Sequence, residues 1–407
     1  MTLADAEALD VGDPLALARE RFRLPPGVIY LDGNSLGALP AATPARLAEV
    51  VEGEWGGDLI ASWTTHDWVD APRRVAAGLA PIVGADADEL IIADSTSVNL
   101  FKLLAAAMRA RPGRPVLLTE EGNFPTDLYV AEGLARLVPG VTVKAVPRAD
   151  IAVSLDQEVA ALFLTHVDYK SGARHDIKRL NAAAHAAGAL SVWDLSHSAG
   201  AVALDIAADG CDLALGCGYK YLNGGPGAPA FLFVAKALQP DLDNVVSGWF
   251  GHAAPFDFAG NYAPAAGNGR FLTGTPPILA LAALEAGIAT FDGIAMAELE
   301  AKSRRLSALF VAKVEARCPA LTLASPRDPA ERGSHVVFAH RHGHAVMQAL
   351  IERGVVGDFR APDLLRFGFA PLYTRFADVW RAADILAEIL DAGTWDQPRF
   401  HQRKRVT

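Results

Sequence analysis

The sequence predicts an α/β protein: a large domain on a mostly parallel sheet, followed by a small C-terminal α/β domain. Three observations carry this. Between Glu89 and Val234, apolar runs of strand length alternate with helical stretches, the rhythm a parallel sheet requires. The 407 residues exceed one ordinary domain. A composition of 51% hydrophobic and 21% charged residues is that of a globular chain with an ample core.

The same numbers exclude several function classes. A net charge of −10 argues against a nucleic-acid surface. No apolar run approaches the roughly 20 residues of a membrane span. The acidic start MTLADAEALDVGD has neither the basic nor the apolar region of a signal peptide, so a cytoplasmic chain is expected. Cys211, Cys217 and Cys318 are too few for a disulfide framework, and the first two bracket an apolar run as core residues. There is no zinc-type spacing, P-loop or repeat, and no metal is expected. The basic HQRKR near the C-terminus reads as a solvated tail.

Taken in order, residues 14–23 read as a short amphipathic helix and Val28 to Leu31 as a strand. GNSLG follows (Gly33, Asn34, Ser35, Leu36, Gly37), a tight turn needing positive φ at glycine. A helix over 41–54 ends at Trp55-Gly56-Gly57. The segment SWTTHDWVDAP then sets Trp63, His66 and Trp68 in a polar loop, suited either to a structural histidine or to recognition of an aromatic ring. After a helix over 73–83, a strand runs into Ser95, Thr96 and Ser97 at a helix start. Such a start is either simply capped or a phosphate site, because its N–H groups and dipole favour an anion. Further strands are expected at 115–119, 141–146 and 159–164, with a helix beginning near Phe124-Pro125 and another over 177–187. A long helix over 298–316 and the strand-like pieces from GSHVVF onward form the small domain. Within LLRFGFAPLY, Arg366 interrupts an apolar run. A buried guanidinium needs an anion, which a bidentate carboxylate of a substrate supplies, or else a buried acid such as Asp358 or Asp363.

The stretch from Leu190 to Gly227 organises the rest. One buried strand ends at Asp194, with His197 three residues on. A second apolar run, Cys211 to Cys217, leads to Tyr219-Lys220 and a glycine-rich turn. An acid and a lysine at neighbouring strand ends face one crevice, where open α/β sheets bind ligands; a surface ion pair is the simpler alternative. Pyridoxal 5′-phosphate (PLP) chemistry needs a lysine for a Schiff base and a carboxylate for the pyridine nitrogen, and both are here. Lys170, in a loop beside Ser171-Gly172, is the rival lysine, but no strand end fixes it.

With these motifs the chain resembles the fold-type I PLP enzymes of the aminotransferase class V branch, and within it the kynureninase family, from about Tyr30 to Tyr373. The resemblance implies a PLP-dependent transferase-like large domain with a mostly parallel seven-stranded sheet over 46–285. It also implies a small domain over 286–407, and an N-terminal segment, 1–45, that joins the small domain and the active-site entrance. The implied reaction is hydrolysis of L-kynurenine, or 3-hydroxykynurenine, to anthranilate or 3-hydroxyanthranilate and L-alanine in tryptophan catabolism. Lys220 then carries PLP, Asp194 holds the pyridinium, and Tyr219 completes the catalytic group. Thr96, Ser97, Tyr219 and Trp249 hold the phosphate, Phe124 stacks on the ring, and Thr165, Asp127 and His197 surround it. Thr275, just before Pro-Pro, reaches the site from the partner subunit of a homodimer. Asn34, Ser35, His66 and Arg366 contact substrate, Arg366 through the α-carboxylate. Another class V reaction, desulfuration or β-elimination, is the alternative, though the cysteines sit in an apolar run or in an RCP turn. A non-catalytic PLP-binding homologue is a further one, against which Asp194, Lys220 and Arg366 all stand.

Overall fold

The computed structural model describes residues 1–403; Lys404 and Arg405 of the basic C-terminal cluster lie outside the described residues. Seven strands form the large sheet: β1 (Leu90–Ala93), β2 (Val116–Glu120), β3 (Thr142–Val146), β4 (Val159–Thr165), β5 (Leu190–Asp194), β6 (Leu213–Cys217) and β7 (Ala230–Val234). Their order is β1-β7-β6-β5-β4-β2-β3. The pairs from β6 to β3 are all parallel, and β7 alone runs antiparallel to its two neighbours. β4 to β7 are buried along their whole length, as continuous apolar runs with helices on both faces require.

The first helix, α1 (Leu3–Val11), was not foreseen, and the stretch over 14–23 is only a 3₁₀ turn, Ala16–Arg21. Thr2 and Asp5 start α1 by capping each other's backbone, at 3.2 and 2.7 Å. Asp13 then turns its carboxylate onto the N–H of Leu15 at 3.0 Å and onto Lys302 at 2.6 Å, a turn geometry that an α-helix here would break. The strand expected at Val28 to Leu31 shrinks to Ile29–Tyr30, which pairs in parallel with Val355–Val356. The apolar run from Cys211 becomes strand only at Leu213. Before it, Asp212 is held by the backbone and hydroxyl of Ser191 at 2.8 and 3.2 Å. Trp68 is no exposed loop residue. It is buried, and its indole donates to Glu54 at 2.6 Å.

The large sheet is flanked by α2 (Ala71–Val83), α3 (Thr96–Ala110), α4 (Pro125–Leu137) and α5 (Ile177–Ala186), with α6 (Ile278–Ile288) packed on α2. A second sheet, in the order β8-β9-β11-β10, is antiparallel: β8 (Thr322–Leu323), β9 (His335–Ala339), β10 (Asp358–Arg360) and β11 (Leu364–Gly368). It packs with α7 (Met296–Arg317), α8 (Gly343–Glu352) and α9 (Phe376–Asp391). Their core includes Phe310, Phe338, Phe367 and Phe369, and also Ala6 and Leu31 from the far N-terminal part of the chain. No single helix among the described residues is long and apolar enough to cross a membrane.

Candidate active site

A cavity of about 210 Å³ opens where β4, β5 and β6 end and where α3 and α4 begin. This is the carboxyl edge of the parallel strands, where every following loop can add a side chain. β4 delivers Thr165 as its last residue, and β5 delivers Asp194 as its last. β6 runs on through Gly218 to Tyr219 and Lys220. A side chain at Gly218 would collide with the Pro229 carbonyl at 2.5 Å, so the strand end needs its glycine to pass this close. Thr96 and Ser97 open α3 after the cap residue Ser95, and Phe124, Thr126 and Asp127 open α4.

Lys220 Nζ lies 3.0 Å from Nε2 of His197 and faces the rings of Phe124 and Tyr219 at 6.0 and 5.9 Å. Burial, followed by the charge of Lys220, holds His197 well below the usual imidazole range, so its ring is neutral. Its Nδ1 is buried with no partner. Asp194 accepts from the N–H of Ser196 at 2.7 Å. Asp127 is 4% exposed, and Thr165 Oγ1 lies 3.3 Å from it and 2.6 Å from Asn123. Burial, and then the neighbouring Asp194, pushes Asp127 well above the usual carboxylate range. Two carboxyls in one small buried cavity cannot both ionise without a cation facing them. Burial raises the Tyr219 hydroxyl too, so it stays protonated and can donate.

These residues fit PLP on the structure's own terms: an amine at one end, an aromatic wall in Phe124, and a carboxyl pair short of a cationic N–H. The α3 start, with two hydroxyls, suits a phosphate. Lys170 does not compete. It is exposed, over the ring of Tyr169.

The structure brings Thr96, Ser97, Phe124, Asp127, Thr165, Asp194, His197, Tyr219 and Lys220 together. It adds Tyr169, Thr126 and Ser196, which the sequence reading did not single out. Tyr169 sets its ring edge-on to Phe124 at 5.2 Å. Only Ser196 carried a signal, its place two residues beyond a strand-terminal aspartate. Six expected residues, Asn34, Ser35, His66, Trp249, Thr275 and Arg366, are not among those lining the cavity. His66 pairs with Asp58 at 2.7 Å, Trp249 packs among Phe250, Phe256 and Phe258, and Thr275 is on the surface. Within one chain, their own local partners hold His66 and Trp249.

Arg366 corrects one expectation. It is 1% exposed on β11, and its anion is already present: Asp358, on β10, which takes Nε at 2.8 Å and also Nη2. Burial alone therefore does not demand a substrate carboxylate there. Ser35 Oγ accepts from Nη2 at 2.9 Å, and the Tyr169 carbonyl accepts from Nη1 at 2.8 Å. Asn34 is fully buried against the same guanidinium, within 2.9 Å of Nε when its amide oxygen faces it. The turn GNSLG also touches the lysine loop, since Gly37 N–H donates to the Tyr219 carbonyl at 2.8 Å.

Known proteins share both the sequence and the fold. A family model described as the kynureninase C-terminal domain matches residues 299–386. The chain is 50% identical to a kynureninase of Pseudomonas fluorescens over 414 aligned residues, covering 100% of both. It is 52% identical to one of Deinococcus radiodurans, covering 96% of this chain and 97% of that one. Among solved structures, an apo cysteine desulfurase of Thermococcus onnurineus superimposes with a TM-score of 0.78 at 19% identity, covering 92% of this chain and 98% of that one. A lysine-to-alanine mutant of C-DES, with glycine covalently linked to its PLP cofactor, gives 0.77 at 16% identity over 91% and 99%.

Proposed function

The chain belongs to the kynureninase family, and from that premise we propose that it hydrolyses L-kynurenine, or its 3-hydroxy form, with PLP held on Lys220. The products are anthranilate, or 3-hydroxyanthranilate, and L-alanine. Identity of one residue in two along the whole chain carries this reading. When bound, PLP supplies an electron sink for the charge that develops on the substrate's carbons.

The chain's own residues do the rest. Lys220, which would hold PLP, would serve as a free amine as the base for the substrate's α-proton. Neutral His197 accepts a hydrogen bond at Nε2 from the Lys220 amine and adds no competing charge. Asp194 would hold the pyridine nitrogen, beside Asp127, whose carboxyl is pushed well above the usual carboxylate range by burial and then by Asp194. Thr96, Ser97, Tyr219 and the first-turn N–H groups of α3 would hold the phosphate, and Phe124 would exclude water from one face of the ring. Desulfuration is disfavoured because it requires an accessible thiolate. Cys211, Cys217 and Cys318 are all buried, and burial pushes Cys211 up to about 12 and Cys318 to about 11.

The functional unit is a homodimer with shared sites. Trp55, Leu59, Ile60, Phe256, Phe258 and Leu279 are exposed, around an aromatic group that joins Trp63 and Trp249 through Phe250. Trp249, Thr275 and His66, all outside the cavity of their own chain, would serve the partner's. The division into 1–45, 46–285 and 286–407 and a cytoplasmic location, where three free thiols stay reduced, complete the proposal.

An absorbance spectrum of the purified protein, with and without L-kynurenine and beside Lys220→Ala, tests it. The expected result is a visible band lost in the variant, and anthranilate fluorescence growing in with substrate. A yellow protein that makes no anthranilate overturns the substrate, and one that stays colourless with added PLP overturns the cofactor.

A further inference from the structure

We infer that Asp358 is the positioning residue of the substrate-carboxylate site and that Ser35 holds the place the carboxylate takes; both rest on the function proposed above. A guanidinium has five N–H groups. On Arg366 four are engaged. The Nε edge grips both oxygens of Asp358 and is shared with the Asn34 amide oxygen, the second Nη2 hydrogen meets Ser35, and one Nη1 hydrogen meets the Tyr169 carbonyl. The remaining N–H is on Nη1, whose other hydrogen meets Tyr169, a residue that lines the cavity of Lys220.

An arriving carboxylate needs two N–H groups on one edge. It gains the free one on Nη1, and a second on Nη2 if Ser35 lets go. Ser35 can do so at little loss, because its hydroxyl also donates to Asp358 at 3.1 Å and keeps that bond. Asp358 cannot be displaced as readily. It is a directly opposed cross-strand partner of Arg366, 1% exposed, and it also takes Arg360 at 2.7 Å. Asp358 thus fixes the fork before substrate arrives, which removes the cost of ordering a long side chain at the moment of binding.

The test is steady-state kinetics of the PLP-loaded enzyme on L-kynurenine with Asp358→Asn and Ser35→Ala. For Asp358→Asn the expected result is KM raised on the order of 30-fold, kcat within about 3-fold, and the visible band retained. A competitive inhibitor lacking the carboxylate, the decarboxylated amine of kynurenine, is expected to bind this variant as it binds the parent. Equal loss of both ligands shows general damage to the site and overturns a positioning role. Ser35→Ala is expected to lower KM, because it removes a competitor for the Nη2 hydrogen. A tenfold rise makes Ser35 a substrate ligand and overturns the displacement, and this variant decides the matter if Asp358→Asn does not fold. Failure of the parent protein to cleave L-kynurenine would instead sink the proposed function itself.

Discussion

A carboxylate keeps its charge in a buried place only where a cation or several N–H donors face it. Asp127, which burial and then Asp194 push well above the usual carboxylate range, would meet that rule with the pyridinium of PLP against the pair. Asp194→Asn is therefore expected to lower turnover by about 10²-fold or more while the visible band persists, measured in single-turnover experiments. Asp32 breaks the same rule elsewhere. Burial and then Asp358 push it up to about 7, while Ser35, Arg366 and Arg360 only partly offset them, and the hydroxyls of Tyr30, Tyr221 and Tyr373 lie nearby. Its folded value exceeds its unfolded one, so the folded state holds this proton more tightly. The stability it contributes is full below about 4 and is lost as pH rises towards 7. Asp32→Asn should thus gain in Tm over the parent between pH 5 and 8, by about 2 °C or more. No gain would mean that Asp32 titrates like an exposed acid. At this scale Asp194 and Lys220 were legible because strand ends sit where a ligand must, and Phe124 and Thr165 only through the family resemblance. The anion of Arg366 was legible only as a choice between two acids, because its partner comes from another strand of an antiparallel pair. His66, Trp249 and Thr275 could not be placed by local pattern at all.

Elements with strong apolar runs were readable to within a residue or two, as β4, β5 and α2 show. The N-terminal region was not. Its apolar spacing at 14–23 mimics a helix, whereas the real one, α1, buries only Ala6 outright and advertises itself only through Thr2 and Asp5. Below the second sheet, Phe310 of α7 sits 4.8, 5.6 and 6.1 Å from the rings of Phe367, Phe369 and Phe338. Phe310→Ala should destabilise the protein by about 3–5 kcal/mol in denaturant unfolding, since a cavity at this depth closes poorly. Phe367 follows Arg366 in β11, so a rise in KM for L-kynurenine should accompany that loss. An unchanged midpoint would show that neighbouring side chains collapse into the space.

On the scale of the whole molecule, Phe256 and Phe258, which pack on Trp249, are 52% and 75% exposed, an aromatic surface that a second copy of this 43.0 kDa chain would cover. Sedimentation equilibrium is expected to give twice that mass. Ile60→Glu, at a residue 81% exposed, should shift the mass towards the single chain and lower activity in step. A parent that sediments as one chain at full activity would refute shared sites.

Ala6 and Leu31 share a core with α9, and Asp10 accepts from the backbone N–H groups of Phe376 and Ala377 across 366 and 367 residues of chain. During synthesis, α1 leaves the ribosome long before its partner helix exists. It must wait, solvated, while the seven-stranded sheet is made and closed. Contacts so distant in sequence are slow to form, so Arg366 and its surroundings are among the last parts of the protein to be assembled. A newly made chain can thus acquire its lysine cavity before it can grip a carboxylate.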